Sequence, residues 1–342
     1  MLYYIVDFMN LKSYGLQLVT KKNYYIKMEC DMTRQTNFAG LPSWENTRGF
    51  QTDIAIIGIP HGTSYSPDTP SYSANAPSAI RQASKRYGKM IDHYDFDFGG
   101  PLLDHRDIRV TDCGDVPGDP SDPAGNHRHS EERIRAIIDA GAVPIVLGGD
   151  DSVTIPFLRA FQGKGMYTVV QIDAHIDWRH EVNGITEGPS SPMRRASEMD
   201  WIDNLIQAGI RGVGSARAED VEAAQACNAR IITAKSVQDN GIGRILNPVA
   251  EGASCLLTID CDGLDPSVMP AVNTPMPGGL TYHHIVDLLH GLTKKANVCG
   301  FNLVEFVPEK DTNGLSALTA ARIVFNMIGA SVRSAFFARR RI

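Results

Sequence analysis

Short apolar runs that stop abruptly at glycine, proline or an acid recur along this chain, and they restrict its fold more than any other feature. Residues 54–59 stop at Pro60, 143–147 run into Gly148-Gly149, 167–172 into Asp173, 255–259 into Asp260, and 298–304 into Glu305. Apolar residues at consecutive rather than alternate positions mark strands buried on both faces. Residues 210–213 and 230–233 are shorter strand candidates, and helical spacing fills 77–87, 131–140, 153–161, 218–227, 282–295 and 316–328. The alternation predicts an α/β fold of three layers, α/β/α, around a central, mostly parallel sheet. In such sheets ligands sit at the carboxyl ends of the strands, which is where these runs place their acids.

The composition suits one large domain. Of 342 residues, 43% are hydrophobic, enough to bury a sizeable core, and we expect a single domain over 37–342 preceded by an arm or extension over 1–36. Residues 1–27 of it are rich in Tyr and Lys but lack the pattern of a signal peptide, and Met28 and Met32 follow them. A net charge of -6 without basic stripes argues against nucleic acid, and the Arg339-Arg340-Arg341 cluster reads as a solvated or paired tail. No run of about 18 apolar residues suggests a membrane span. The six cysteines show no CxxC spacing, as expected of reduced core residues in a cytoplasmic protein.

Two of the strand ends carry motifs: Asp173-Ala174-His175-Ile176-Asp177 and Asp260-Cys261-Asp262. Side chains two apart on an extended segment point the same way, so each motif converges its acids and imidazole on one point. Carboxylates gathered this densely repel one another unless cations compensate them. Two divalent ions would do so, and carboxylate oxygen with imidazole nitrogen suits Mn²⁺, Fe²⁺, Co²⁺ or Ni²⁺. Asp150-Asp151-Ser152 can equally be a helix cap or a further source of ligands, and Asp265-Pro266 reads as a turn.

These residues resemble the ureohydrolases, the family of arginase, agmatinase and guanidinobutyrase. Gly148-Gly149-Asp150-Asp151-Ser152 looks like its Gly-Gly-Asp-His-Ser, residues 173–177 match its Asp-Ala-His-x-Asp, and residues 260–266 match its Asp-x-Asp-x-x-Asp-Pro. Thr274-Pro275-Met276-Pro277-Gly278-Gly279-Leu280 fits as well. The resemblance implies an arginase-like fold, two divalent metals (Mn²⁺ first, Ni²⁺ the alternative), and hydrolysis of a guanidino compound to urea and an amine. It places Asp173, His175, Asp177, Asp260 and Asp262 on metal ligands, with Asp151 as the sixth, and Glu305 on the carboxylate that binds the guanidinium. Asp177 is the first candidate for moving the proton to the departing amine. The partners it implies are a small guanidino substrate and other copies of the chain in a trimer or hexamer, with a mixed oligomer containing a paralogue as the alternative.

Two departures stand out: Asp151 occupies a position where the family normally has His, and Glu187 one where agmatinases have His. Glu187 can act as acid/base, bind a cationic substrate, or be a solvated loop residue. The Ser/Pro/Tyr-rich segment 64–73 is expected near the site mouth, with His61 as a substrate-side candidate. His127 and His129 read as capping or surface residues, His180 as a supporting residue behind the metals, and Trp178 as core. Candidate substrates are agmatine, a guanidino acid, guanidine, or a biguanide such as metformin. Outside this class stand a non-catalytic auxiliary subunit, motivated by Asp151 and Glu187, and a single-zinc deacetylase-like amidohydrolase, motivated by Asp-x-His.

Overall fold

Eight strands form one sheet: β1 (Ile54–Gly58), β2 (Val110–Asp115), β3 (Val143–Leu147), β4 (Tyr167–Ile172), β5 (Ile202–Ile210), β6 (Arg230–Thr233), β7 (Ser254–Asp260) and β8 (Asn297–Val304). The computed structural model describes residues 36–43, 51–66 and 68–339, which lie within the unit Gln35–Ile342. The expected N-terminal arm, Thr36 apart, lies outside the described residues, as do Cys30, Arg340 and Arg341. The strand order is β2-β1-β3-β8-β7-β4-β5-β6. Every neighbouring pair is parallel.

The helices are α1 (Ala76–Gly88), α2 (Pro123–Asp139), α3 (Thr154–Arg159), α4 (Pro192–Ala196), α5 (Ala218–Ala226), α6 (Ala234–Asn240), α7 (Gly243–Leu246), α8 (Tyr282–Lys295), α9 (Leu315–Arg333) and α10 (Ala335–Arg339). Alternation along β1 shows why the strands had to be apolar throughout. Ile54 and Ile56 pack with Ile80 of α1, Leu289 of α8 and Ile323 of α9, whereas Ala55 and Ile57 pack with Ile134 of α2 and Phe157 of α3. The sheet is therefore covered on both faces, giving the three layers expected. By length and hydropathy α9 could cross a membrane, but most of it is buried inside the domain. It is the core helix of one layer.

Two strands differ from expectation. β2 was not anticipated: its Val-Thr-Asp-Cys-Gly-Asp sequence is polar because it forms a sheet edge and carries Asp112 and Asp115 for the buried Arg81 of α1. Arg81 donates to Asp112 through Nε (2.8 Å) and a terminal nitrogen (2.9 Å), and to Asp115 at 2.5 Å. β5 spans Ile202–Ile210 rather than 210–213, its polar Gln207 being buried and bonded to Gln171.

Register brings the strand ends level. Ile172 pairs with Ile259, Asp260 with Val304, and Leu147 with Leu303. One residue further on, Asp173 lies beside Asp260, and Gly149, Asp260 and Glu305 meet at the same edge. The four central strands β3-β8-β7-β4 thus deliver their closing residues to one place.

Candidate metal centre

The turn after β3 separates the two roles that Asp150 and Asp151 left open. Asp150 caps the short 3-10 turn Asp151–Val153, accepting from the Ser152 backbone N–H at 3.1 Å and from Ser152 Oγ at 2.5 Å. Asp151 faces the strand ends instead. Its Oδ1 accepts from Thr154 Oγ1 at 2.6 Å, and its buried Oδ2 has no hydrogen-bond partner. Leaving such an oxygen desolvated and unpaired is costly, and a cation would satisfy it. Gly149 permits the turn because a Cβ there would lie 1.9 Å from the His61 carbonyl.

After β4, Asp173 accepts from the His175 N–H at 2.6 Å and from Gln171 Nε2 at 2.7 Å. Gln171 Nε2 also reaches Asp177 at 3.0 Å. After β7, Asp260 caps the turn Cys261–Gly263 by accepting from the Asp262 N–H at 2.7 Å. Asp262 accepts from the Ala174 N–H at 3.2 Å, and His175 Nδ1 stands 3.3 Å from Asp262 and 3.4 Å from Asp173. Arg211 locks this turn, donating to the Asp262 and Met276 carbonyls at 2.7 Å each.

Two groups result. Asp151, Asp173 and Asp260 bring ligand atoms within 4.8 Å of one another, and so do Asp173, His175 and Asp262. Asp173 belongs to both, so the geometry suits two cations sharing a carboxylate. Asp177 belongs to neither group but lies against Asp151 and Asp173. It adopts φ +44°, and Glu305 φ +66°, conformations that cost a non-glycine residue energy and cluster at functional sites.

The electrostatics describe an unbalanced negative pocket. Burial, then neighbouring carboxylates, push Asp151, Asp173 and Asp260 well above the usual carboxylate range. Burial would also raise Asp262, but the hydrogen bond from His175 holds it below its ordinary value. Burial lowers His175, yet Asp262 and then Asp177 and Glu305 raise it to about 9. The pocket attracts positive charge, either protons or metal ions that displace them.

Glu305 closes one side. Its Oε1 accepts from the Asp151 N–H at 2.8 Å and from Tyr72 Oη at 2.6 Å. Lys310 is not its partner and donates to the carbonyls of Val272 and Asn273. Asp265 makes the expected turn, accepting from Ser267, Gly278 and Gly279 N–H groups.

Several outer positions differ from expectation. Glu187 is not a free base: it accepts from His127 Nδ1 at 3.0 Å and from Arg159 at 2.5 Å, and the His127 bond, against burial and with help from Arg159, lowers it to about 2. With its charge already matched by Arg159 and His127, it is neither a free base nor a free anion for a cationic substrate. His127 is no surface residue but the buried middle of that network, with Nε2 3.0 Å from Thr63 Oγ1. His61 turns toward α2: its ring packs on Gly118 and its Nε2 lies 3.4 Å from Ser130 Oγ. That orientation removes it from the substrate side. His180 is exposed beside Arg195, so it supports no metal ligand, whereas Trp178 is core as expected.

Tyr72, Arg159 and Gln171 were missed. Gln171 left a signal, a polar residue within an apolar run two positions before Asp173 and so on the same side of the strand. Nothing in local spacing marks Tyr72 or Arg159, whose partners are distant in sequence.

The sequence profile of the arginase family matches residues 52–329. The chain belongs to the arginase family. Among arginase-family relatives, a guanidinobutyrase of Pseudomonas aeruginosa is 31% identical, covering 81% of this chain and 85% of its own length. An agmatinase of Pyrococcus horikoshii is 30% identical, over 82% and 93% respectively. The solved proclavaminate amidinohydrolase of Streptomyces clavuligerus superposes with a TM-score of 0.76 at 25% identity, covering 88% of this chain and 98% of that one.

Proposed function

We propose that this chain is a metal-dependent ureohydrolase that cleaves the C–N bond of a guanidino compound to give urea and an amine. The observation that carries the reading is the pair of ligand groups joined at Asp173, with Glu305 beside them. Relatives named guanidinobutyrase and agmatinase support the reaction class.

Asp151, Asp173 and Asp260 would hold one ion, and Asp173, His175 and Asp262 the other, with Asp177 completing the centre. Five carboxylates and one imidazole are a hard donor set, favouring Mn²⁺ over Ni²⁺. When bound, the ions supply an acidified water as nucleophile near neutral pH and stabilise negative charge. Glu305 accepts a guanidinium N–H and holds the central carbon against the carboxylate edge. Asp177, held by Gln171, receives the proton released on attack and delivers it to the departing amine nitrogen.

A urea-release assay over guanidine, agmatine, 4-guanidinobutyrate, 3-guanidinopropionate, arginine and biguanides tests this, with Mn²⁺ and Ni²⁺ each supplied. Release from at least one guanidino compound is expected. No urea from any of them with either metal would remove the proposal.

A further inference from the structure

We propose that Tyr72 is a specificity-determining residue of this hydrolase, its hydroxyl fixing Glu305 and its ring limiting the size of the substrate's N-substituent; the inference rests on the function proposed above. The loop between β1 and α1 is strapped across the edge where the central strands end. Ser71 bonds to Asp150, the cap adjoining Asp151. Tyr72 Oη donates to Glu305 Oε1 at 2.6 Å, and Asn75 Nδ2 reaches Glu309 at 2.5 Å. Ser73 is fully buried, so the backbone on either side of Tyr72 is held.

Two consequences follow from where Tyr72 lies. First, Glu305 Oε1 already accepts two donors, from Tyr72 and from the Asp151 N–H. The carboxylate is pinned in one orientation, leaving Oε2 as the principal acceptor for a guanidinium. A pinned acceptor loses less freedom on binding and so binds more tightly. Second, Tyr72 remains 38% exposed although its hydroxyl reaches the buried Glu305. Its ring therefore spans the distance from solvent to the acceptor. A substituent on a guanidinium held by Glu305 that runs toward solvent beside Tyr72 meets that ring, which leaves room for short substituents and crowds long ones.

The two roles separate in a pair of variants. Wild type, Tyr72→Phe and Tyr72→Ala are loaded with Mn²⁺, checked for equal metal content and melting temperature, and assayed for urea release from guanidine, methylguanidine, 4-guanidinobutyrate and agmatine. Tyr72→Phe should raise KM about tenfold for every substrate turned over, with kcat changed less than about threefold, as expected when a hydrogen bond to a charged group that aids binding alone is lost. Its order of substrate preference should match wild type. Tyr72→Ala should share that KM rise for guanidine and shift kcat/KM at least about tenfold in favour of agmatine and 4-guanidinobutyrate over methylguanidine. An unchanged KM in Tyr72→Phe, unchanged preference in Tyr72→Ala, or effects that track lost metal or a lowered melting temperature would overturn the role of Tyr72 while leaving the hydrolase reading intact. Absence of urea release from wild type itself would overturn both.

Discussion

Acidification should weaken this fold through His61. The imidazole is buried, its Nδ1 has no partner, and burial followed by the charges of His127 and His129 lowers its pKa from 6.5 to about 4. The unfolded chain therefore binds a proton at His61 between those values while the folded chain does not. Stability from this residue is complete above pH 6.5 and is lost as pH falls toward 4. At pH 5 the loss is about 2 kcal/mol, approaching about 3 kcal/mol once the folded form also protonates. Because His61 is almost fully buried, solvent screening takes little from this figure. The assay is denaturant unfolding of wild type and His61→Asn at pH 7 and pH 5, at one metal and one chain concentration. Other titrating groups cancel in the comparison, so the wild-type advantage at pH 7 should shrink by about 2 kcal/mol at pH 5. A difference that does not change with pH would refute the buried, neutral His61.

Other outcomes follow from the same structure. Chelation should lower the melting temperature, and more at pH 8 than at pH 6. The raised pKa values of Asp151, Asp173 and Asp260 mean that the metal-free fold keeps protons the unfolded chain releases, so its stability falls as pH rises; thermal melts with and without chelator at both pH values check this. Asp173→Asn should reduce metal content from about two equivalents to well under one, while Asp151→Asn or His175→Asn retains about one, as elemental analysis would show. Arg81→Ala should cost about 3–5 kcal/mol in denaturant unfolding, because it leaves Asp112 buried without its partner. Glu187→Gln should move the pH dependence of kcat little, since a group already ionised by Arg159 and His127 does not titrate near neutrality; a new pH limb would contradict this.

What could be read from the sequence was what local rules govern. Strands buried on both faces must be apolar at every position, so β1, β3, β4, β7 and β8 stood out, and the acids closing the last three identified the site edge. β2 and β5 were obscured because their polar residues are satisfied by partners elsewhere in the chain, Arg81 for β2 and Gln171 for β5. The same reason hid the outer site. Glu187 looked available because neither Arg159 nor His127 is near it in sequence, and Tyr72 looked like a loop residue because Glu305 lies 233 positions away. The family resemblance singled out Asp151 from Asp150, and the structure adds the physical reason, since Asp150 is the carboxylate that caps the turn.

The sheet order also fixes when the cluster can come into being. β3 and β4 follow one another in the chain, yet they are kept apart by β8 and β7, which come last. A chain synthesised only as far as Asp177, just past β4, already possesses Asp151, Asp173, His175 and Asp177 but has no framework holding the β3 and β4 ends at their final separation. Only when the C-terminal pair slots between them does Asp260 arrive and the spacing become fixed. Capture of an ion by Asp151, Asp173 and Asp260 would thus come late in folding and report completion of the sheet's middle, and that ion would tie Asp151 to Asp260, more than a hundred residues further along the chain.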